Sequence, residues 1–391
     1  MKQRNSLRIA IIGGGPAGLT LARILWTRGV TATVFEQEVS SDERPQGGTL
    51  DLHPESGQVA VKRAGLEAEF RALARYEDQG MRVMDKQGTL LIDNPEGMEE
   101  GERPEIDRIV LRRMLLDSLP EGMVRWGHKL RTLEAREDGT HALTFTNGRS
   151  ECFDLVVGAD GAWSKVRPLL STAVPEYTGV TFVELGLDDV DSLHPEIARM
   201  VGNGSLFAMA EGRGLVAQRN GHGHIRVYAM LKVAEGWVEE GGIDFTDAGR
   251  AREGLLKLFS DWARPLLALI RECGDRIVPR QIYALPVGHR WAHRQGLTLL
   301  GDAAHLMSPF GGQGANLAML DASDLALALT EHEDWAAAVR EHELVLCQRA
   351  EKAARGAAEG IADALAADAA RGAFEHVSQR SKSSAEAQSR A

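Results

Sequence analysis

The stretch IAIIGGGPAGLTLARILWTRG, residues 9–29, determines the fold class because it joins a buried strand to a helix through a glycine-rich turn. The apolar run LRIAII, 7–12, is typical of a buried strand, and Gly29 is a helix stop. TATVFE, 31–36, is a second strand of the same kind. The chain therefore opens with a β-α-β unit, which predicts a parallel sheet.

The turn itself has the spacing GxGxxG, which indicates a dinucleotide-binding site when a strand precedes it and a helix follows. Gly13 would make the tight turn, Gly15 would let the backbone approach a pyrophosphate, and Gly18 would let the helix pack closely on the strand. Glu36 ends the second strand, where it could accept hydrogen bonds from an adenosine ribose. The alternative is a glycine-rich turn without a ligand, which this context disfavours.

A second glycine-rich loop, GDAAHLMSPFGGQGAN at 301–316, indicates that the dinucleotide is a flavin. Asp302 follows a short strand and is placed to hold ribityl hydroxyls, while Pro309 and Phe310 form a rigid apolar wall. GGQG, 311–314, precedes a strongly helical run, so its amides would offset the negative charge of a reduced flavin. A helix start of purely structural origin is the alternative.

Composition excludes several other classes of protein. The 391 residues carry a formal net charge of −11, which disfavours nucleic acid or an anionic membrane as partner. No apolar run reaches the length of a membrane span, and we expect a cytoplasmic protein. Cys152, Cys273 and Cys347 lie far apart and are expected to be reduced core thiols. His222 and His224 make an incomplete metal site, so no metal is predicted.

The character of the chain changes between about residues 176 and 285. Strand-like runs such as TFVELGL, SLFAMAEGRGLVAQ and HIRVYAMLKV are separated by turns there, which predicts an antiparallel sheet. Helical pattern dominates again after Asn316, and the last residues are polar. We therefore expect a second domain inserted into the first.

Three of these motifs together resemble the class A flavoprotein monooxygenases: GGGPAGL at 13–19, GADGAWSKVR at 158–167 and GDAAHLMSPFGGQG at 301–314. GGTLDLH, 47–53, and PEIDRIVLRRML, 104–115, resemble more narrowly the tetracycline-inactivating monooxygenases. The likeness extends from about residue 8 to the C-terminal helix.

The resemblance implies an α/β fold. It joins an FAD-binding Rossmann-like domain of the GR2 type to an antiparallel-sheet substrate domain, with a long C-terminal helix. The expected boundaries are 1–70, 92–175 and 278–322 for the FAD-binding domain, 71–91 and 176–277 for the substrate-binding domain, 323–374 for a C-terminal helical segment, and 375–391 for a flexible tail.

The resemblance also implies roles for individual residues. Those expected to bind the cofactor are Gly13, Gly15, Gly18, Glu36, Arg44, Asp51, Arg108, Asp160, Asp302, Gly312, Gln313, Gly314 and Ala315. Arg44 matches a proposed NADPH contact of the family, with a solvated loop arginine as the alternative. Asp160 ends an apolar strand and is expected near the pyrophosphate, although Asp-Gly is also a common turn. Pro309, Phe310 and Gly311 are expected beside the reacting ring.

Four residues align with substrate contacts of the family: Glu184, Ser205, Val216 and Arg226. The family has glutamine, arginine, an aromatic residue and histidine at these positions, so none is retained and the identity of the substrate stays open. Arg226 could bind an anionic or enolate group, or it could be an outward strand arginine.

The activity implied is FAD-dependent hydroxylation of an aromatic or polycyclic compound through a C4a-hydroperoxyflavin, with NADPH and O2 consumed. A tetracycline-like antibiotic is one candidate substrate. The alternatives are a flavin-linked reductase or dehydrogenase of the same fold and a flavoprotein that only sequesters its ligand. We expect a monomer, although the sequence itself sets no oligomeric state.

Overall fold

The computed structural model describes residues 7–41, 43, 47–77, 79–94 and 103–366. These residues form two compact units. Unit 1 contains the described residues within 7–74, 106–176 and 283–358, and unit 2 contains those within 75–105, 177–282 and 359–366. Both units are therefore built from segments that are distant in the chain.

The strands are numbered in chain order. They are β1 (Ile9–Ile12), β2 (Ala32–Phe35), β3 (Thr49–Asp51), β4 (Met81–Met84), β5 (Leu90–Asn94), β6 (Glu105–Asp107), β7 (Val124–Arg125), β8 (Leu130–Ala135), β9 (His141–Phe145), β10 (Ser150–Phe153), β11 (Leu155–Gly158), β12 (Glu176–Leu187), β13 (Ser205–Ala210), β14 (Arg213–Arg219), β15 (Ile225–Lys232), β16 (Val278–Ala284) and β17 (Leu297–Leu299).

The helices are numbered in the same way. They are α1 (Pro16–Thr27), α2 (Gly57–Arg63), α3 (Glu67–Leu73), α4 (Arg108–Asp117), α5 (Val190–Leu193), α6 (Pro195–Val201), α7 (Trp237–Glu240), α8 (Ala248–Leu258), α9 (Arg264–Arg271), α10 (Asp302–His305), α11 (Gln313–Glu331) and α12 (Trp335–Ala364).

Unit 1 is centred on a five-stranded parallel sheet in the order β17-β11-β1-β2-β7. Ile9 of β1 lies opposite Ala32 on one side and Leu155 on the other, so the predicted β-α-β unit is confirmed. Every residue of β1 and β11 is buried, as expected for a parallel sheet that is covered on both faces. The predicted α/β class follows directly from this sheet.

A smaller antiparallel sheet in unit 1 has the order β10-β9-β8. The hairpin between β9 and β10 turns at Asn147-Gly148, where Gly148 has φ +83°. Asn-Gly is typical of such a turn, because residues that tolerate a positive φ fit it readily.

Unit 2 contains a seven-stranded sheet in the order β16-β12-β15-β14-β13-β4-β5. Its central strands β12 to β15 pair antiparallel, as predicted, whereas β4 pairs parallel to β13. Alternate residues of the central strands pack against α8 and α9, with Val183, Leu215 and Val227 in the same buried cluster as Leu255 and Leu266. The opposite face of the sheet carries the remaining side chains.

The observed units divide the chain differently from the boundaries expected on sequence, and the pairing and packing of the chain explain the two largest differences. β5 belongs to unit 2 because it pairs with β4, whereas residues from 92 onward were assigned to the FAD-binding domain. The residues from 323 to 358 belong to unit 1 rather than to a separate segment, because Leu325, Leu329 and Leu346 enter its core. The expected tail, 375–391, lies outside the described residues.

The three cysteines are free thiols: Cys273 is buried, and Cys152 and Cys347 are half-buried. Burial raises the pKa of Cys347 to about 11, so this thiol is protonated at neutral pH. Across the part of the chain that the structure describes, none of the helices combines the length and the apolar character needed to cross a bilayer.

Candidate cofactor site

Two glycines of the first turn are required by packing. Gly13 has φ +111°, and a Cβ placed on it would lie 2.2 Å from the carbonyl oxygen of Ala159. A Cβ on Gly18 would lie 2.1 Å from the carbonyl oxygen of Gly13. Both distances are far below contact, so α1 packs on β1 and β11 as closely as the backbone allows.

Gly15 differs from its neighbours because a Cβ there would meet no atom within 4 Å. Its φ of −84° is open to any residue, so neither packing nor backbone strain calls for glycine. Gly15 also caps the first turn of α1, a 12-residue helix whose first amides point towards this space. The space in front of Gly15 therefore fits the pyrophosphate that the sequence predicts there.

Glu36 follows β2 and is buried. Its Oε2 accepts a hydrogen bond of 2.6 Å from the Gly14 amide, and its Oε1 accepts one of 3.1 Å from the Glu38 amide. Each carboxylate oxygen keeps a further lone pair. The side chain is thus held rigidly beside the glycine turn with acceptor capacity for ribose hydroxyls, which fits its predicted role.

Arg112 of α4 completes this end of the site, although the sequence did not single it out. Its Nε donates to the carbonyl of Gly14 at 3.1 Å, and its two Nη atoms donate to the carbonyl of Ser41 at 3.1 Å and to Oε2 of Glu38 at 2.8 Å. The ion pair with Glu38 is almost fully buried. An arginine on the apolar face of a helix, next to Leu111, was the available signal.

The Asp-Gly turn lies against the first glycine turn. A Cβ on Gly13 would lie 3.1 Å from the Cα of Asp160. Oδ2 of Asp160 accepts from the Lys165 amide at 2.6 Å, whereas the buried Oδ1 has no hydrogen-bond partner among the described residues. Burial raises the pKa of Asp160. A buried oxygen without a partner is an expected feature of a site that a ligand or water completes.

Arg167 joins the Asp-Gly turn to the second glycine-rich loop. Its Nη2 donates to the carbonyl of Ala162 at 2.7 Å, and its Nη1 donates to the carbonyl of Ala303 at 3.1 Å. Ser164 starts the intervening 3-10 turn by accepting from the amides of Val166 and Arg167. No sequence pattern indicated the bridge made by the arginine.

The two glycine-rich loops meet at Gly301, which has φ +59°. A Cβ on it would lie 3.1 Å from Cβ of Ala318 in α11 and 3.4 Å from Cβ of Ala17 in α1. Asp302, the next residue, is exposed at the start of α10. The structure therefore brings together both helix starts and the carboxylate predicted to hold the ribityl chain.

Loop residues before α11 leave an open surface. Gly311 and Gly312 have φ of +97° and +66°, and a Cβ on Gly311 or Gly314 would meet no atom within 4 Å. α11 begins at Gln313 and runs for 19 residues, so its unpaired amides lie at this surface. Such a glycine surface at a helix start fits a flat ring that carries negative charge when reduced.

The remaining residues predicted here flank that surface. Pro309 is exposed and Phe310 is half-buried, while Ala315 packs at the edge of the unit 1 core. Gly312 donates its amide to the carbonyl of Pro309 at 3.2 Å, which closes the loop.

Asn316 connects this loop to the segment that contains Asp51, a role the sequence did not predict. Its Oδ1 accepts from the amides of His53 at 2.9 Å and Gly57 at 3.2 Å. Its Nδ2 donates to the carbonyls of Asp51 at 2.8 Å and Gly312 at 3.1 Å. The side chain is fully buried, so a single residue holds both segments in register.

Asp51 lies beside the second glycine loop. Its Oδ2 is 2.8 Å from Nε2 of the buried His53, and a Cβ on Gly312 would lie 3.0 Å from its Oδ1. Arg108 begins α4 with an exposed side chain, and its amide donates to the carbonyl of Gly48 at 3.0 Å. Arg44 lies outside the described residues.

A buried charge network supports the second loop from behind. Nε2 of His305 is 2.7 Å from Oδ2 of Asp321, and both side chains are buried. Burial alone would lower the pKa of His305, but the hydrogen bond and charge of Asp321 raise it overall. Arg349 of α12 donates to Oδ1 of Asp321 at 2.5 Å, which ties α12 to the same carboxylate.

The four residues aligned with substrate contacts share one face of the unit 2 sheet. Val216 lies opposite Tyr228, and Tyr228 lies opposite Glu184. In the next row, Ser205 lies opposite Gln218, which lies opposite Arg226. Residues directly opposite each other point to the same side of a sheet, and this is the side away from α8 and α9.

No group of histidine, cysteine or acidic side chains within the described ranges has an arrangement that could hold a metal ion. His224 instead pairs with Asp188, its Nδ1 lying 2.7 Å from Oδ1 of that carboxylate.

Comparison with known proteins agrees with this site. Residues 6–262 and 271–346 match the family described as FAD binding domain. The chain is 34% identical over 376 residues to monooxygenase asqM of Emericella nidulans, covering 83% of this chain and 84% of that protein. It is 32% identical over 340 residues to 3-amino-4-hydroxybenzoate 2-monooxygenase PtmB3 of Streptomyces platensis, covering 82% and 79%.

Among solved structures, tetracycline destructase Tet(55) superposes with a TM-score of 0.71 at 22% identity, covering 92% of this chain and 90% of that one. At this identity the likeness shows a shared fold.

Proposed function

Because this chain belongs to the FAD binding domain family and is a class A FAD-dependent monooxygenase, we propose that it uses NADPH and O2 to hydroxylate an aromatic or polycyclic compound. The observation that carries the proposal is the pair of open glycine surfaces, at Gly15 and at Gly311 and Gly314, whose loops meet at Gly301. A dinucleotide that lies along both would explain why these glycines face free space.

Several residues would hold the cofactor. Glu36 would bind the adenosine ribose, the α1 start at Gly15 would bind the pyrophosphate, and Asp302 would bind the ribityl chain. The amides from Gly312 to Ala315 would face the ring. Bound FAD would supply the redox chemistry of a hydroxylation in which NADPH provides two electrons, one oxygen atom of O2 enters the substrate and the other leaves as water.

The chain contributes positioning and electrostatics to this chemistry. The helix start of α11 would offset the negative charge of the reduced ring by about 0.3 to 2 kcal/mol. Asn316 keeps that helix start fixed relative to Asp51, so the amides need not reorganise during turnover. The chain carries a single dinucleotide fingerprint, which favours NADPH as a transient visitor.

The substrate class is inferred from the sheet face of unit 2. Phe207, Val216 and Tyr228 form one cross-strand row, and the ring of Phe182 lies 5.7 Å from that of Tyr228. Apolar and aromatic side chains of this kind suit a flat ring system. The relative PtmB3 is named for an aminohydroxybenzoate substrate, which supports an aromatic ring as the group that is hydroxylated.

Tetracycline is one compound to test among others. Glu184, Ser205, Val216 and Arg226 differ in residue type from the contacts of the tetracycline-inactivating enzymes, and Tet(55) shares the fold alone. Because these side chains offer different hydrogen-bond donors and acceptors, they favour a substrate whose ring substituents differ from those of tetracycline.

The test is a panel of phenols, naphthols and tetracyclines incubated with the holoenzyme, NADPH and isotopically labelled O2. We expect one compound or more to accelerate NADPH oxidation and to yield a product containing one labelled oxygen atom. The control uses unlabelled O2 in labelled water. A product that lacks the label from O2, or takes it from water, would contradict the proposal.

A further inference from the structure

An arginine cluster in unit 2 surrounds a single buried carboxylate. Glu184 of β12 is 6% exposed and contacts Arg226 of β15, Arg280 of β16 and Arg276, which precedes β16. Nη1 of Arg276 lies 3.0 Å from Oε1, and Nε of Arg280 lies 2.5 Å from Oε2. Nη1 of Arg226 also donates to Oε1.

The cluster is cationic. Burial alone would raise the pKa of Glu184, but the Arg280 hydrogen bond and the charges of the three arginines lower it, so the carboxylate is ionised. Three guanidinium groups and one carboxylate leave two positive charges. Within the described residues, no other carboxylate lies within 4.0 Å of these arginines. This local excess contrasts with the formal net charge of −11.

Most of the hydrogen-bond donors in the cluster are still available. Each guanidinium carries five N–H groups and directs one nitrogen at Glu184. The side chains of Arg276 and Arg280 are 52% and 50% exposed. Nε of Arg226 is buried without a hydrogen-bond partner. A planar oxyanion is the ligand that such donors match best.

The cluster borders the aromatic row on the same sheet face. Tyr228 lies directly opposite Glu184, and Arg226 lies two residues before Tyr228 on the same side of β15. A ligand whose ring covers Val216 and Tyr228 would therefore direct a substituent towards the arginines.

We propose that Arg226, Arg276 and Arg280 form a subsite for a carboxylate on the aromatic substrate, with Glu184 as the positioning residue that gathers them. The inference rests on the proposed function and narrows it to aromatic acids. Glu184 neutralises one charge, and the substrate carboxylate would neutralise a second. Without a ligand, the same contacts would serve only to hold the edge of the sheet.

The experiment compares aromatic acids with their neutral amides. Binding to the holoenzyme is measured by calorimetry for benzoate, 4-hydroxybenzoate, 3-hydroxy-2-naphthoate and anthracene-2-carboxylate, each against its carboxamide. We expect at least one acid to bind about tenfold more tightly than its amide, an advantage that falls as salt is added.

Two variants and one matched control test whether the preference for acids depends on Arg276 and Arg280. Arg276→Gln and Arg280→Gln should each weaken binding of that acid by about tenfold and leave the amide unchanged. Arg271→Gln removes an exposed arginine at the end of α9 and should change neither. Arg276 and Arg280 are both half-exposed, so the variants should keep the thermal stability and FAD content of the wild type.

Each outcome has a definite meaning. If no acid binds more tightly than its amide, or if the preference persists unchanged in Arg276→Gln and in Arg280→Gln, the subsite is refuted. Labelled oxygen entering neutral compounds equally well would then leave the proposed function intact. Conversely, arginine-dependent binding of acids without any oxygenation would retain the subsite and refute the proposed function.

Discussion

At the scale of single residues, glycine serves two purposes within one turn. Gly13 and Gly18 are glycine because a Cβ would collide with backbone oxygen atoms at 2.2 and 2.1 Å. Gly15 has no such neighbour, and its backbone is not strained. The fold does not require glycine at this position, and the proposed ligand would explain it.

Alanine substitutions at Gly15 and Gly18 distinguish the role in ligand binding from the role in packing. Gly15→Ala should change the unfolding free energy of the apoprotein by less than about 0.5 kcal/mol, yet weaken FAD binding at least about tenfold. Gly18→Ala is the matched control and should destabilise the apoprotein by about 1–3 kcal/mol through overpacking. Urea denaturation and FAD titration measure the two effects. Wild-type FAD affinity in Gly15→Ala would show that no pyrophosphate approaches this residue.

His305 makes stability depend on pH. Its folded pKa lies above the ordinary value of 6.5, so the folded state binds the proton more tightly than the unfolded chain. The stabilisation is complete below about pH 6.5 and is lost as pH rises through the raised pKa. His342 and Arg349 also act electrostatically on Asp321, and both are present in the wild type and in a variant that lacks His305.

Comparison with His305→Gln isolates this contribution. The difference in unfolding free energy between wild type and variant should shrink as pH rises from about 6 to 9, by at most about 1.4 kcal/mol per pH unit. Denaturation at several pH values measures it, and His332→Gln, in an exposed loop, is the control. A difference that stays constant over this range would mean that His305 does not titrate there.

At the scale of elements, α4 is attached to the first glycine turn through a buried ion pair. Arg112 contacts the carbonyls of Gly14 and Ser41 as well as Glu38, so one side chain fixes three segments. Removing one member of a buried pair leaves the other charge without compensation. The geometry of the proposed adenosine site thus depends on a residue of α4 that was not itself predicted to contact the cofactor.

A pair of variants tests this attachment. Arg112→Met should destabilise the protein by about 3–5 kcal/mol, because the buried Glu38 side chain loses its ion pair with Arg112. Arg112→Met combined with Glu38→Leu should recover most of that stability but not the affinity for FAD, since the contact with Gly14 is still absent. A double variant as unstable as the single one would show that the ion pair is not the source of the loss.

At the scale of the whole molecule, the cofactor should act as a folding ligand of unit 1. Its predicted contacts come from segments that begin at residues 13 and 301, and FAD would connect them. A ligand that binds only the folded state stabilises it by about 2.7 kcal/mol when present at 100 times its dissociation constant.

FMN provides the matched control because it lacks the adenylate half. FAD should raise the melting temperature of the apoprotein strongly, whereas FMN at the same concentration should raise it far less, since FMN lacks the adenosine that would contact Glu36 and one of the two phosphates that would lie at Gly15. Calorimetry of the apoprotein with each flavin makes the comparison. Equal stabilisation by both flavins would argue against an adenosine site at the first turn.

The sequence by itself determined the parallel sheet, both glycine loops and the flavin site that they suggest. These features depend on local rules: a positive φ favours glycine, a buried parallel strand favours a continuous apolar run, and a helix start exposes amides. Each rule concerns only a few neighbouring residues, so these features can be predicted from the sequence without knowledge of the tertiary structure.

Only the tertiary structure decided which polar side chains hold the site together. Asn316 bonds a carbonyl 265 residues away, and Arg280 pairs with a carboxylate 96 residues away. The alignment proposed Glu184 and Arg226, but it gave no sign of Arg276 or Arg280. A buried polar group needs a hydrogen-bond partner, and that partner can come from any segment that the fold brings close to it. The sequence alone does not show which distant segments become neighbours. For this reason only the tertiary structure shows the contacts of the buried Asn316 and of the arginine cluster.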